Sequence, residues 1–83
     1  SLDNGSLSIE TYHVLAWTSY KLGNYIEAEK NIQQALRLGT KDPLMSYHAG
    51  KIYEKLNQNE KAKDYLDFAL KINPFYSKLY SDD

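Results

Sequence analysis

A chain of 83 residues has room for one small domain, which buries only about 60–65% of its unfolded surface. Hydrophobic content of 42% and charged content of 25% exclude a disordered tail. Ten basic against eleven acidic side chains, a formal net charge of -1, leave no basic block to draw nucleic acid or an anionic membrane.

With no cysteine, disulfides, thiolate zinc centres and thiol nucleophiles drop out together. The longest apolar run, Val14-Leu15-Ala16-Trp17, is far short of the roughly 20 residues of a membrane-spanning helix. A charged n-region followed by an apolar h-region, the mark of a signal peptide, is also missing. The first residue is Ser1 and the sole methionine is Met45, so a processed protein or an excised domain is expected. The compartment stays open.

In chain order, residues 1–8 are small and polar and read as a flexible lead-in. Asn4-Gly5-Ser6 fits the glycosylation acceptor pattern, a triplet that arises often by chance. Ser8 is placed to cap a first helix, its hydroxyl accepting from a free N–H of the first turn.

The first helix is expected from Ile9 to about Leu22, with Tyr12, Leu15, Ala16, Ser19 and Leu22 on its inner face. Gly23-Asn24 makes a turn. A second helix follows from about Tyr25 to Leu38, with Ala28, Ile32, Ala35 and Leu36 inward, and Gly39-Thr40-Lys41 stops it. Asp42-Pro43 restarts the pattern, since aspartate caps and proline at the first helical position loses only an N–H without an intrahelical partner. The third helix runs to about Leu56 with Ala49, Gly50, Tyr53 and Leu56 inward. Asn57-Gln58-Asn59 turns the chain, and the fourth runs from about Glu60 to Ile72, offering Ala62, Tyr65, Leu66, Ala69 and Leu70. Asn73-Pro74 ends it, and no segment reads as a strand.

The two halves repeat. Lys21, Leu22, Ala28, Ala35 and Leu36 return thirty-four residues later as Lys55, Leu56, Ala62, Ala69 and Leu70. A fixed period of this length is the signature of stacked supersecondary units. Two units are therefore expected, 9–42 and 43–76, followed by a partial capping helix or tail over 77–83. In that tail Leu79 and Tyr80 continue the apolar spacing of Phe75 and Tyr76.

On these residues the chain resembles the tetratricopeptide repeat family, whose unit carries a W-x2-L-G-x2-Y…A-x3-F…A…P pattern. The second unit matches at Gly50, Tyr53, Ala62, Ala69 and Pro74, with Leu66 for the phenylalanine. The first matches at Leu15, Ala28 and Ala35, with Tyr12 for the tryptophan, Ala16 for the glycine and Ile32 for the phenylalanine. Ser19, Thr40, Ser46 and Ala49 depart from the pattern. The match covers 68 of 83 residues. The resemblance implies an all-α, right-handed α-solenoid of antiparallel helix–turn–helix units, here four main helices and a C-terminal stub.

Candidate chemistry is sparse. Glu10-x-x-His13 has the spacing found in di-iron bundles, but that chemistry needs a second copy and two further carboxylates, and Met45 stands where the second glutamate would be. Both His13 and His48 are expected as ordinary surface or groove histidines. Nucleophile elbow, Walker loop, H-E-x-x-H and Gly-rich dinucleotide turn are all absent, so neither an enzyme nor a cofactor or metal is expected.

The informative constellation is His13, Trp17 and Tyr20, spaced i, i+4, i+7 beside the core face of the first helix. With it that helix is apolar around much of its girth, which argues that a second face is covered. By resemblance, the first helix of each unit lines a concave peptide-binding face. That face would carry His13, Trp17, Tyr20 and Lys21 from unit one and Tyr47, Lys51, Glu54 and Lys55 from unit two. One class within the family clamps the C-terminal carboxylate of chaperones with lysine and asparagine. Here His13, Trp17 and His48 stand at the matching positions, and Lys78 fits only if a third unit starts at Ser77, so no tight binding of such a tail is expected.

The expected function is a non-catalytic adaptor that binds a protein or peptide, without nucleic acid or membrane insertion. The alternative is a structural segment that stacks or self-associates, through the Trp17–Tyr20 stripe and the Phe75–Tyr80 tail. The mixed charges of unit two, Lys51, Lys55, Lys61, Lys63 and Lys71 against Glu54, Glu60, Asp64 and Asp67, with Glu60–Asp64 repulsive and Asp67–Lys71 favourable, read as solubility.

Overall fold

A computed structural model describes residues 8–39 and 42–76. The expectations for the lead-in and Asn4, for Thr40 and Lys41, and for the tail 77–83 with Lys78 lie outside the described residues. All regular structure among the described residues is helical: α1 (Ile9–Lys21), α2 (Tyr25–Arg37), α3 (Pro43–Lys55) and α4 (Asn59–Ile72). The chain divides into two compact units, Ser1–Thr40 and Lys41–Asp83. In the first α1 packs on α2, and in the second α3 packs on α4.

The helix starts follow local chemistry. Ser8 Oγ accepts from the Thr11 N–H at 3.1 Å, and Asp42 Oδ1 accepts from the Leu44 N–H at 3.0 Å with Pro43 next to it. Each cap satisfies one of the donors that a helix N-terminus leaves free.

The turns inside the two units share one geometry. After α1, Gly23 adopts φ +85°, its N–H donates to Tyr20 C=O, and the Asn24 N–H donates to Ser19 C=O. After α3, Asn57 adopts φ +61°, its N–H donates to Glu54 C=O, and the Gln58 N–H donates to Tyr53 C=O. Both are Schellman motifs with a left-handed residue just past the helix end. Glycine takes that conformation without strain, and asparagine is among the few other residues that tolerate it. Gly39 ends α2 in the same left-handed conformation, at φ +88°.

In unit one, Ala16 of α1 and Ala28, Ile32 and Ala35 of α2 are fully buried. The alanines let the two backbones approach, and Ile32 fills the space left between them. In unit two, Ala49, Gly50, Ile52 and Tyr53 of α3 and Ala62 and Ala69 of α4 are buried. At Gly50 α3 and α4 leave no room for a methyl: a Cβ there would lie 2.5 Å from Leu66 Cγ and 3.2 Å from the Ala62 carbonyl oxygen.

Two inner-face expectations are corrected. Leu15 is 40% exposed and Leu22 71% exposed, so neither belongs to the α1–α2 core. Successive helical residues are about 100° apart, and the covered arc centres on Ala16 and Tyr20, which turns Leu15 and Leu22 outward. In the same way Tyr65, Leu66 and Leu70 of α4 are half-buried rather than enclosed. Asp67 pairs with Lys63 one turn earlier, at 2.7 Å, where Lys71 had been expected. That hydrogen bond holds the Lys63 ammonium pKa above its ordinary value.

Candidate functional site: the first helix of each unit

In unit one the predicted stripe is a layered aromatic stack. Trp17 is half-buried and lies parallel to Tyr20, with ring centroids 4.4 Å apart and planes 9° from coplanar. Tyr20 in turn meets Tyr25 of α2 at 5.7 Å in a tilted arrangement. Lys21 Nζ stands 5.6 Å from the Trp17 ring centroid, within cation–π range. His13, one turn before Trp17, is half-buried.

This corrects the exposure expected of Tyr20. It is only 5% exposed, because i+4 from Ala16 returns it to the covered arc, where Trp17 and Tyr25 close over its ring. Tyr20 therefore acts from beneath, fixing the plane of Trp17 rather than offering a surface of its own. Tyr25 was not singled out in the sequence. The signal for it was the short Gly23-Asn24 turn, which brings the first residue of α2 back beside the last turn of α1.

In unit two Tyr47 is also buried, at 3% exposure, with its ring 5.8 Å from that of Tyr76 and 6.3 Å from that of His48. Like Tyr20, it is not the exposed aromatic that was expected. His48 is buried too, which corrects its reading as a surface or groove histidine. The accessible face of α3 is charged instead. Lys51 pairs with Glu54 at 3.5 Å, its side chain 14% exposed against 46% for the glutamate, and Lys55 is exposed. A second aromatic stack, Tyr53 on Tyr65 at 5.7 Å with Lys61 Nζ 5.2 Å from the Tyr53 centroid, ties α3 to α4.

Of the eight predicted residues, then, His13, Trp17 and Lys21 form an aromatic and cationic patch on unit one. Lys51, Glu54 and Lys55 form a polar patch on unit two, and Tyr20 and Tyr47 lie under the surface of their units. Among the described residues no group of three or more histidine, aspartate or glutamate side chains is placed to hold a metal ion, and no helix is long and apolar enough to cross a membrane.

Comparison with known families matches residues 9–42 to one tetratricopeptide repeat model and residues 45–76 to a second. Searches of curated proteins and of solved structures found no match.

Proposed function

Because the chain belongs to the tetratricopeptide repeat family, whose repeats are generally protein–protein interaction modules and typically non-catalytic, we propose that it binds a protein or peptide along the first helix of each unit. In unit one the contacts fall to His13, Trp17 and Lys21, with Tyr20 holding Trp17 in place. In unit two they fall to Lys51, Glu54 and Lys55, over Tyr47.

The observation that carries this reading is the Trp17 stack. A half-buried tryptophan stacked on a buried tyrosine, with a lysine ammonium within cation–π range, is held in place before any ligand arrives. Binding then costs little side-chain ordering, and tryptophan is among the residues that most often dominate binding energy. Lys51 and Glu54, paired with each other, supply directional hydrogen bonds at low gain in affinity.

The test is a selection of random displayed peptides on the wild-type chain. Enriched peptides should shift Trp17 fluorescence saturably, and Trp17→Ala should weaken them by about 2 kcal/mol or more, some thirtyfold. Peptides that bind Trp17→Ala and Lys51→Ala as well as wild type would remove these faces from the binding function.

A further inference from the structure

The apolar side of α1 that turns away from α2 is centred away from Trp17 and shares only Lys21 with the Trp17 patch. Val14 is 63% exposed, Leu15 40% and Leu22 71%, and Thr11 and Thr18 on the same side are exposed as well. Thr11, Leu15, Thr18 and Leu22 follow one another at steps of four, three and four, the spacing of a coiled-coil seam. At the start of that seam is a shallow depression of 260 Å³ bordered by Glu10, Thr11, Val14 and Leu15.

We infer that this face is a self-complementary interface, on which α1 of a second copy of the chain docks antiparallel. If the two-fold axis passes between residues 16 and 17, Thr11 of each copy faces Leu22 of the other, and Leu15 faces Thr18. Every level of the seam then joins one small and one large side chain, which is the arrangement that interdigitates. The Leu22 side chain of one copy arrives over the depression beside Thr11 of the other, as a knob into a hole formed by residues of the facing helix.

The charges agree with the same register. Glu10 and Lys21 are eleven residues apart, about three turns, so they flank the seam on one side, within about 20° of each other around the helix. In an antiparallel pair that side meets its own equivalent. Glu10 of one copy then lies about 3 Å along the axis from Lys21 of the other, and the two-fold repeats the pair. A parallel pairing would turn this side toward the opposite flank of the partner, where Tyr12 and Ser19 carry no charge, and both ion pairs would be lost. The charge pattern thus complements a second copy docked antiparallel and gives a parallel one no ion pair.

A seam of this length, roughly 16 Å from Thr11 to Leu22, gives an interface at the small end of the known range, below about 1,200 Å² in total. The expected dimer is accordingly weak, with a dissociation constant on the order of tens of micromolar.

The test is sedimentation equilibrium on the whole chain over a concentration series, with circular dichroism to verify folding. Wild type should dimerise. Glu10→Lys and Lys21→Glu should each weaken dimerisation roughly tenfold, since each places like charges together twice. An equimolar mixture of the two variants should associate about as tightly as wild type, because Glu10→Lys then meets Lys21→Glu across the seam while Lys21 meets Glu10. Leu22→Glu, at a position too exposed to matter for folding, should abolish association with the helical spectrum retained. A wild-type monomer at about 1 mM would overturn the inference, and would mean that a segment of the chain itself or a different protein covers this face. Association untouched by Leu22→Glu, or a mixture no tighter than its separate components, would overturn it too and move self-association to another surface.

Discussion

Gly50→Ala separates two opposed effects that the sequence alone cannot rank. Gly50 sits inside α3 without a positive φ, and in a helix interior alanine is normally better than glycine by about 0.8–1 kcal/mol. On propensity alone the variant should be more stable. A Cβ at this position would, however, lie 2.5 Å from Leu66 Cγ and 2.7 Å from Leu66 Cδ2, with the Ala62 carbonyl oxygen at 3.2 Å. Real Cβ atoms do not approach so closely, and Cγ is the branch point of the leucine rather than its free end, so α3 and α4 must part or Leu66 must leave its rotamer. Overpacking of this kind costs ~1–3 kcal/mol. The steric effect wins, leaving a net loss of about 1 kcal/mol, or about 4–8 °C in Tm for a chain of this size. Unit one indicates the rescue. There the corresponding positions hold Ala16 and Ile32, both fully buried. Gly50→Ala combined with Leu66→Ile recreates that pair and should recover most of the lost Tm in a far-UV circular dichroism melt. A single variant that melts higher than wild type, or a double variant no better than the single, would refute the packing argument.

Three further outcomes are expected. Ala28→Leu, at a fully buried position of α2, should lower stability by ~1–3 kcal/mol in urea unfolding, because the α1–α2 backbones are too close to admit the larger side chain. Gly23→Ala should cost about 1–2 kcal/mol although nothing lies within 4 Å of the new methyl, since the penalty comes from φ +85°, whereas Asn57→Gly at φ +61° should be neutral or slightly stabilising. Ser8→Ala should cost ~1 kcal/mol by removing the cap on Thr11, and should raise amide exchange in the first turn of α1 before anywhere else.

The fold was largely legible because its determinants are local. Caps at Ser8 and Asp42 and turn residues at Gly23 and Asn57 act within a few positions of where they stand, and the small residues Ala28, Ala35, Ala62 and Ala69 recur at the period of the repeat. Each helix end fell within a residue or two of its expected place. The orientation of individual large side chains was less legible. Leu15 and Ala16 were assigned to one face although neighbouring residues diverge by about 100°, and only the observed arc of contact decides which of them is covered. Spacing also puts Tyr20 on an open stripe, and the family resemblance puts Tyr47 on the corresponding face of unit two. Both are buried and meet the rings of Tyr25 and Tyr76, partners from other segments of the chain that a pattern within one helix cannot supply.

The shortness of the turns has a consequence for the way the chain reaches its native state. Only residues 22–24 separate α1 from α2, and residues 56–58 separate α3 from α4. Each hairpin can therefore form through contacts between residues near in sequence, with small loop-closure entropy. Chains dominated by such contacts fold in microseconds to milliseconds. Either unit can serve as the starting point, and amino-acid changes that slow one of them leave the other route open.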